Sequence, residues 1–159
     1  AGIDANEAQK KHMVEKIDNK LEDLEDKTIG VLGLSFKPET DDMREAPSLT
    51  IVPGLIKKGA SIAAFDPQGI DEAVWRLQEY EKDIIYCASE YEVMKGADAL
   101  VLITEWNQFR RLDLQRVKNL MKGSVIFDLR NIYEKDEVEE YNLEYVGVGI
   151  PATELNEDE

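Results

Sequence analysis

Six short apolar runs punctuate this chain: Ile29 to Leu34, Ile62 to Phe65, Ile84 to Cys87, Ala99 to Ile103, Val125 to Leu129 and Tyr145 to Val148. Each is too short for a buried helix, and most are rich in Ile, Val and Leu with little alternation, as strands buried on both faces are. Helical patterns fill the gaps, over Ser48 to Lys58, Asp71 to Tyr80, Tyr91 to Met94, Asp113 to Met121 and Lys135 to Tyr141. Strand and helix in alternation imply crossover connections, and crossovers make successive strands parallel. The expected fold is therefore α/β: a mostly parallel sheet of five to six strands in three layers, with helices on both faces.

A longer helix precedes the first strand. From Asp4 to about Glu25 there is neither proline nor glycine, and Val14, Ile17, Leu21 and Leu24 recur at spacings of three and four. Such a stripe either packs on its own domain or serves as a connector or dimer helix. The chain starts at Ala1 and runs directly into helical pattern, which is the expectation for a piece of a longer protein. Pro53 and Gly54 fall inside the second helix, where the chain is expected to kink or the helix to start late. Gly59 after Lys57 and Lys58 reads as a helix C-terminus. Residues Pro151 to Glu159 are acidic and without apolar period, so a disordered tail is expected there. The division is thus 1–26 for the helix, 27–150 for the α/β domain and 151–159 for the tail.

Charge limits the partners. Thirty-four acidic against nineteen basic side chains leave a formal net charge of -15, which repels nucleic acid and anionic membranes over most of the surface. A small anion can still bind where cations cluster. One cysteine, Cys87, excludes an internal disulfide and fits a reducing, cytoplasmic location. No apolar stretch approaches the ~20 residues of a membrane span. With one histidine and one cysteine, a zinc site or a Ser-His-Asp triad has little support, so no metal is expected.

The chemistry concentrates after the first strand, in the loop from Gly33 to Ser48, where parallel sheets place their ligands. Lys37 and Arg44 offer an ammonium and a planar guanidinium to an anion, or else pair with Glu39, Asp41, Asp42 or Glu45 nearby. Phe36 is either a core plug or a platform for a flat ring. A second group, Asp128-Leu129-Arg130-Asn131, ends the fifth run, bringing Arg130 to the same carboxyl edge as Lys37; its alternative is pairing with Asp128. Gly30 and Gly33 form G-x-x-G, which lacks the glycine that would let a pyrophosphate approach. Asp66 stands where a ribose-binding acid would, but a turn built with Pro67 explains it more simply. Trp106 and Phe109 read as loop packing, and Cys87 as an inert core thiol.

Gly33-Leu34-Ser35-Phe36-Lys37-Pro38 through Thr40-Asp41-Asp42-Met43-Arg44-Glu45 resembles the signature loop of the C-terminal domain of the UDP-glucose/GDP-mannose dehydrogenases. Ala64-Phe65-Asp66-Pro67, Ala97-Asp98-Ala99-Leu100, Thr104-Glu105-Trp106 and Phe127-Asp128-Leu129-Arg130-Asn131 follow in the same order, so the likeness runs from about Lys27 to Gly149. Within the family it is nearest the UDP-glucose branch. The resemblance implies a Rossmann-like fold and an NAD-dependent enzyme that oxidises the sugar's C6 alcohol twice through a cysteine-linked intermediate. It also implies that Phe36 and Lys37 contact the sugar nucleotide, that Arg130 holds the nucleotide-sugar end, and that Arg44 reaches an NAD bound mainly by an absent N-terminal domain. The family's G-x-G-x-x-G and catalytic cysteine segments have no counterpart here, so no catalytic residue is expected in this chain. Gly149-Ile150-Pro151 also departs from the family's usual Gly-Ile-Gly. The partners implied are a UDP-sugar, that N-terminal domain and a second copy of the parent in a dimer. The alternatives are a relative acting on UDP-N-acetylmannosamine or GDP-mannose and, from other classes, a phospho-receiver or a non-enzymatic interaction domain using the first helix as its seam.

Overall fold

The computed structural model describes residues 2 to 147, with side chains from residue 7 onward. The expected tail lies outside the described residues. Helix α1 (Gly2–Leu21) leads into β1 (Thr28–Leu32), α2 (Ser48–Lys57), β2 (Ser61–Phe65), α3 (Ile70–Arg76), β3 (Ile84–Tyr86), β4 (Ala99–Leu102), α4 (Leu114–Leu120), β5 (Val125–Asp128), α5 (Lys135–Glu139) and β6 (Glu144–Gly147). Short 3-10 turns cover Gln78–Asp83, Glu92–Met94 and Asn107–Arg111, so the helix expected at Tyr91 to Met94 is a single tight turn.

All six strands are parallel, in the order β3-β2-β1-β4-β5-β6. The chain builds outward from β1 to one edge, crosses back, and builds outward from β4 to the other. This doubly wound order places the topological switch between β1 and β4. A receiver domain winds in the order 2-1-3-4-5, so that alternative fails on topology.

Two cores flank the sheet because successive strand residues face opposite ways. Ile29 and Val31 of β1 with Ala99 and Val101 of β4 pack beneath α1 and α2, alongside Val14, Ile17, Ile51 and Leu55. Leu32, Leu100 and Leu102 face the other side, with Trp106, Phe109, Val117, Ile126 and Val138. The helix expected to about Glu25 ends at Leu21, past which Glu22 turns to φ +70°; Val14 and Ile17 on its stripe and Leu24 beyond it are buried in the domain and cannot form the seam of an interaction domain. Pro53 neither ends nor delays α2. It sits buried in a continuous helix, and neighbouring Gly54 lets α1 approach: a Cβ there would lie 2.8 Å from Val14 Cγ2. The N–H groups of Gly59 and Ala60 then bond Ile56 O and Leu55 O at 2.9 and 3.1 Å, closing α2 at the expected glycine.

Candidate functional site

The register lines up Phe65, Leu32, Leu102 and Asp128 across β2, β1, β4 and β5. Beyond that row each chain leaves the sheet at its carboxyl end. Lys37 and Arg130 thus emerge on one rim, from strands separated only by β4, about 10 Å at the usual strand spacing.

The root of the first loop is fully engaged. Asp66, buried at the end of β2, accepts through Oδ2 from Leu34 N (2.7 Å), Ser35 N (3.0 Å) and Ser35 Oγ (2.9 Å). Its Oδ1 accepts from Gln68 N and Gly69 N at 2.9 and 2.7 Å, the turn anticipated around Pro67. Thr104 Oγ1 donates to Ser35 O at 2.8 Å, and Ser48 Oγ to Leu34 O at 2.6 Å. The ends of β2 and β4 and the start of α2 thereby hold two residues of backbone past β1. From that root the chain projects Phe36, 44% exposed and no core plug, and the exposed Lys37. The loop closes where Phe36 N bonds Asp42 O at 2.7 Å, and Met43 returns it to the core.

The two arginines differ. Arg44, with its side chain 78% exposed, turns its fork onto Asp42: Nε to Oδ1 is 3.1 Å and Nη2 to Oδ2 is 3.0 Å. That pairing holds the Asp42 carboxyl down at about 2, chiefly through the guanidinium hydrogen bond, and pushes Arg44 up. Arg130 does not pair through its side chain with Asp128, which takes only its backbone N–H at 3.1 Å. Asp128 is instead buried and accepts from Tyr133 N and Tyr145 Oη at 2.9 Å each. The Arg130 guanidinium meets Glu105 Oε2 through Nε at 3.4 Å. Sequence reasoning missed this contact, since Glu105 figured there only as one letter of the Thr104-Glu105-Trp106 match; the register that sets β4 beside β5 creates it.

The remaining candidates are structural. A Cβ on Gly30 would stand 2.6 Å from Val93 O, and one on Gly33 2.5 Å from Thr104 Cβ, so protein already fills the space that a dinucleotide motif leaves open. With Asp66 spent on Leu34, Ser35, Gln68 and Gly69, this crest does not fit NAD. Burial pushes the Cys87 thiol up, which suits an inert core thiol. Trp106 and Phe109 are buried in the second core. Among the described residues no cluster of His, Cys, Asp and Glu could hold a metal, and no helix is long and apolar enough to cross a membrane. A groove of about 880 Å³ lies away from the strand ends, between α1, α2 and the Trp75 to Tyr80 segment, with Lys58 there tied to Glu15 and Asp18.

A doubly wound parallel sheet whose switch-point rim presents a ring and cations defines the chain as a nucleotide-binding α/β domain. Residues 30–135 match the model of the UDP-glucose/GDP-mannose dehydrogenase family, UDP binding domain. The chain belongs to this family and is its C-terminal UDP-binding domain. It is 45% identical over 130 residues to a UDP-glucose 6-dehydrogenase of Rhizobium meliloti, covering 81% of this chain and 29% of that protein. It is 38% identical over 152 residues to a UDP-glucose 6-dehydrogenase of Bacillus subtilis, covering 96% and 32%. The structure of a UDP-glucose dehydrogenase from Pyrobaculum islandicum superposes with a TM-score of 0.75 at 26% identity, over 94% of this chain and 31% of that one. The chain spans about a third of the length of these relatives.

Proposed function

We propose that this chain is the UDP-sugar-binding part of an NAD-dependent UDP-glucose 6-dehydrogenase, which converts the C6 alcohol of UDP-glucose to a carboxylate in two NAD-linked oxidations. The names of the relatives support the substrate, and the shared rim of Phe36, Lys37 and Arg130 carries the reading. A diphosphate needs cations that converge, and a base or sugar face needs a ring beside them. Phe36 and Lys37 contact the sugar nucleotide, Arg130 clamps its anionic end, and Arg44, once released from Asp42, meets the cofactor. NAD supplies hydride acceptance when bound. This chain's own task is to bind and orient, while the cofactor's main site and the catalytic cysteine belong to an N-terminal domain in a dimeric parent. A cytoplasmic location, which the reduced Cys87 suits, completes the proposal.

Thermal unfolding followed during titration tests it. A ligand at a hundred times its Kd stabilises by about 2.7 kcal/mol. UDP and UDP-glucose should raise the Tm, GDP-mannose should do so less, and Mg²⁺ with acetyl phosphate should not. The shift should shrink in Lys37→Ala and Arg130→Ala, and the chain alone should reduce no NAD with UDP-glucose present. No Tm shift with UDP or UDP-glucose at millimolar concentration refutes the reading.

A further inference from the structure

Given the rim as a nucleoside diphosphate site, we propose that Glu105 is the positioning residue that presents Arg130 to the ligand. Glu105 lies at the end of β4, between the two halves of the rim, and its backbone is fixed on both sides. Thr104 is bonded to Ser35 O at 2.8 Å, and Trp106 is buried. From this mount the carboxylate approaches Arg130 at Nε, the inner nitrogen, in an ion pair at 3.4 Å. Among the described residues neither outer nitrogen of Arg130 makes a hydrogen bond, so the edge that forks onto a phosphate stays open. Arg44 is the contrast, with its Nε–Nη2 edge taken by a bidentate contact to Asp42.

Two further observations separate positioning from simple stabilisation. Glu105 Oε1 is buried without a hydrogen-bond partner, an arrangement that costs stability, and such a group in a native fold calls for a functional reason. Asp128, the other acid beside Arg130, is occupied by Tyr133, Tyr145 and the Arg130 backbone, which leaves Glu105 as the side chain that sets the guanidinium's direction. The ligand class this favours is a diphosphate read by a planar fork, with Glu105 remaining as counter-ion behind it.

The test is a calorimetric titration of the 159-residue chain with UDP, in a double-mutant cycle. Glu105→Ala should weaken UDP binding about tenfold, the middle of the range for residues in contact. Glu105→Gln, which keeps an acceptor oxygen at the same reach without the charge, should recover part of the loss. In an Arg130→Ala background Glu105→Ala should change nothing further, whereas with Lys37→Ala its effect should add. Should the alanine variant fail to fold, Glu105→Asp withdraws the carboxylate by one methylene and should weaken binding likewise. Unchanged or tighter UDP binding in these variants, or an equal loss in the Arg130→Ala background, overturns the positioning role while leaving the site intact. Failure of the unmutated chain to bind UDP removes the site itself.

Discussion

Gly33 and Thr104 are fitted so closely that neither backbone has room to yield: a Cβ on Gly33 would stand 2.5 Å from Thr104 Cβ and 2.6 Å from Thr104 N. Gly33 also holds φ at +97°, a region that side chains avoid. Gly33→Ala should therefore destabilise the fold by about 2 kcal/mol or more, strain and overpacking acting together. Because the backbone nitrogen is part of the collision, Thr104→Ala should not rescue it. Urea unfolding of the single and double variants measures both effects.

The bidentate contact between Arg44 and Asp42 sets a pH window. The Asp42 carboxyl is held at about 2 against its ordinary 3.8, so the pairing favours the folded state above the unfolded value and is lost as pH falls from about 4 through 2. Carboxyl resonances followed by NMR should put the Asp42 midpoint near 2 in the native protein, and Arg44→Ala should return it toward the ordinary value. Both groups are solvated, so high salt should shrink the difference.

At the alkaline end three tyrosines matter. Burial pushes Tyr86 and Tyr133 up to about 12, and burial with the Asp128 charge raises Tyr145 further. A raised pKa means that the folded state keeps its proton while the unfolded state releases it near 10. The associated stability is whole below pH 10 and declines as pH climbs toward 12. Tyrosinate absorbance should accordingly show fewer than six tyrosines titrating normally before unfolding, and the Tm should fall across that window.

Ile17 lies at the centre of the α1 stripe and is fully buried against the domain. Ile17→Ala should cost 2–5 kcal/mol, the range for buried aliphatic truncation. An exposed substitution on the same helix, His12→Ala, should leave urea unfolding unchanged within about 0.5 kcal/mol. Equal, small effects at both positions would show that α1 does not belong to the domain's cooperative unit.

The central strands could be read in advance because a strand buried on both faces leaves a continuous apolar run, as in Ala99 to Ile103, and the part-exposed edge strands β3 and β6 still kept a short apolar stretch. Pattern misled where burial and packing override propensity: Pro53 stays inside α2, and Tyr91 to Met94 tightens into a 3-10 turn. Of the rim, Phe36, Lys37 and Arg130 were legible because a strand's end puts charge and ring beyond an apolar stop. The Glu105 to Arg130 contact was not, since it depends on which strands lie side by side. One signal was available: β2 and β5 both reach their ends through Phe-Asp, at Phe65-Asp66 and Phe127-Asp128, and both aspartates turn out to be buried receivers of backbone N–H groups.

The stretch from Lys37 to Asp42 is closed by its own backbone at Asp42 O, while the side chains that fasten it to the fold lie outside it: Ser35 on Asp66, Ser48 on Leu34, and Met43 in the core. Its composition can drift without disturbing the framework that carries it. A scaffold arranged this way lets evolution exchange the recognised molecule by rewriting a few exposed letters, while the sheet beneath is inherited unchanged.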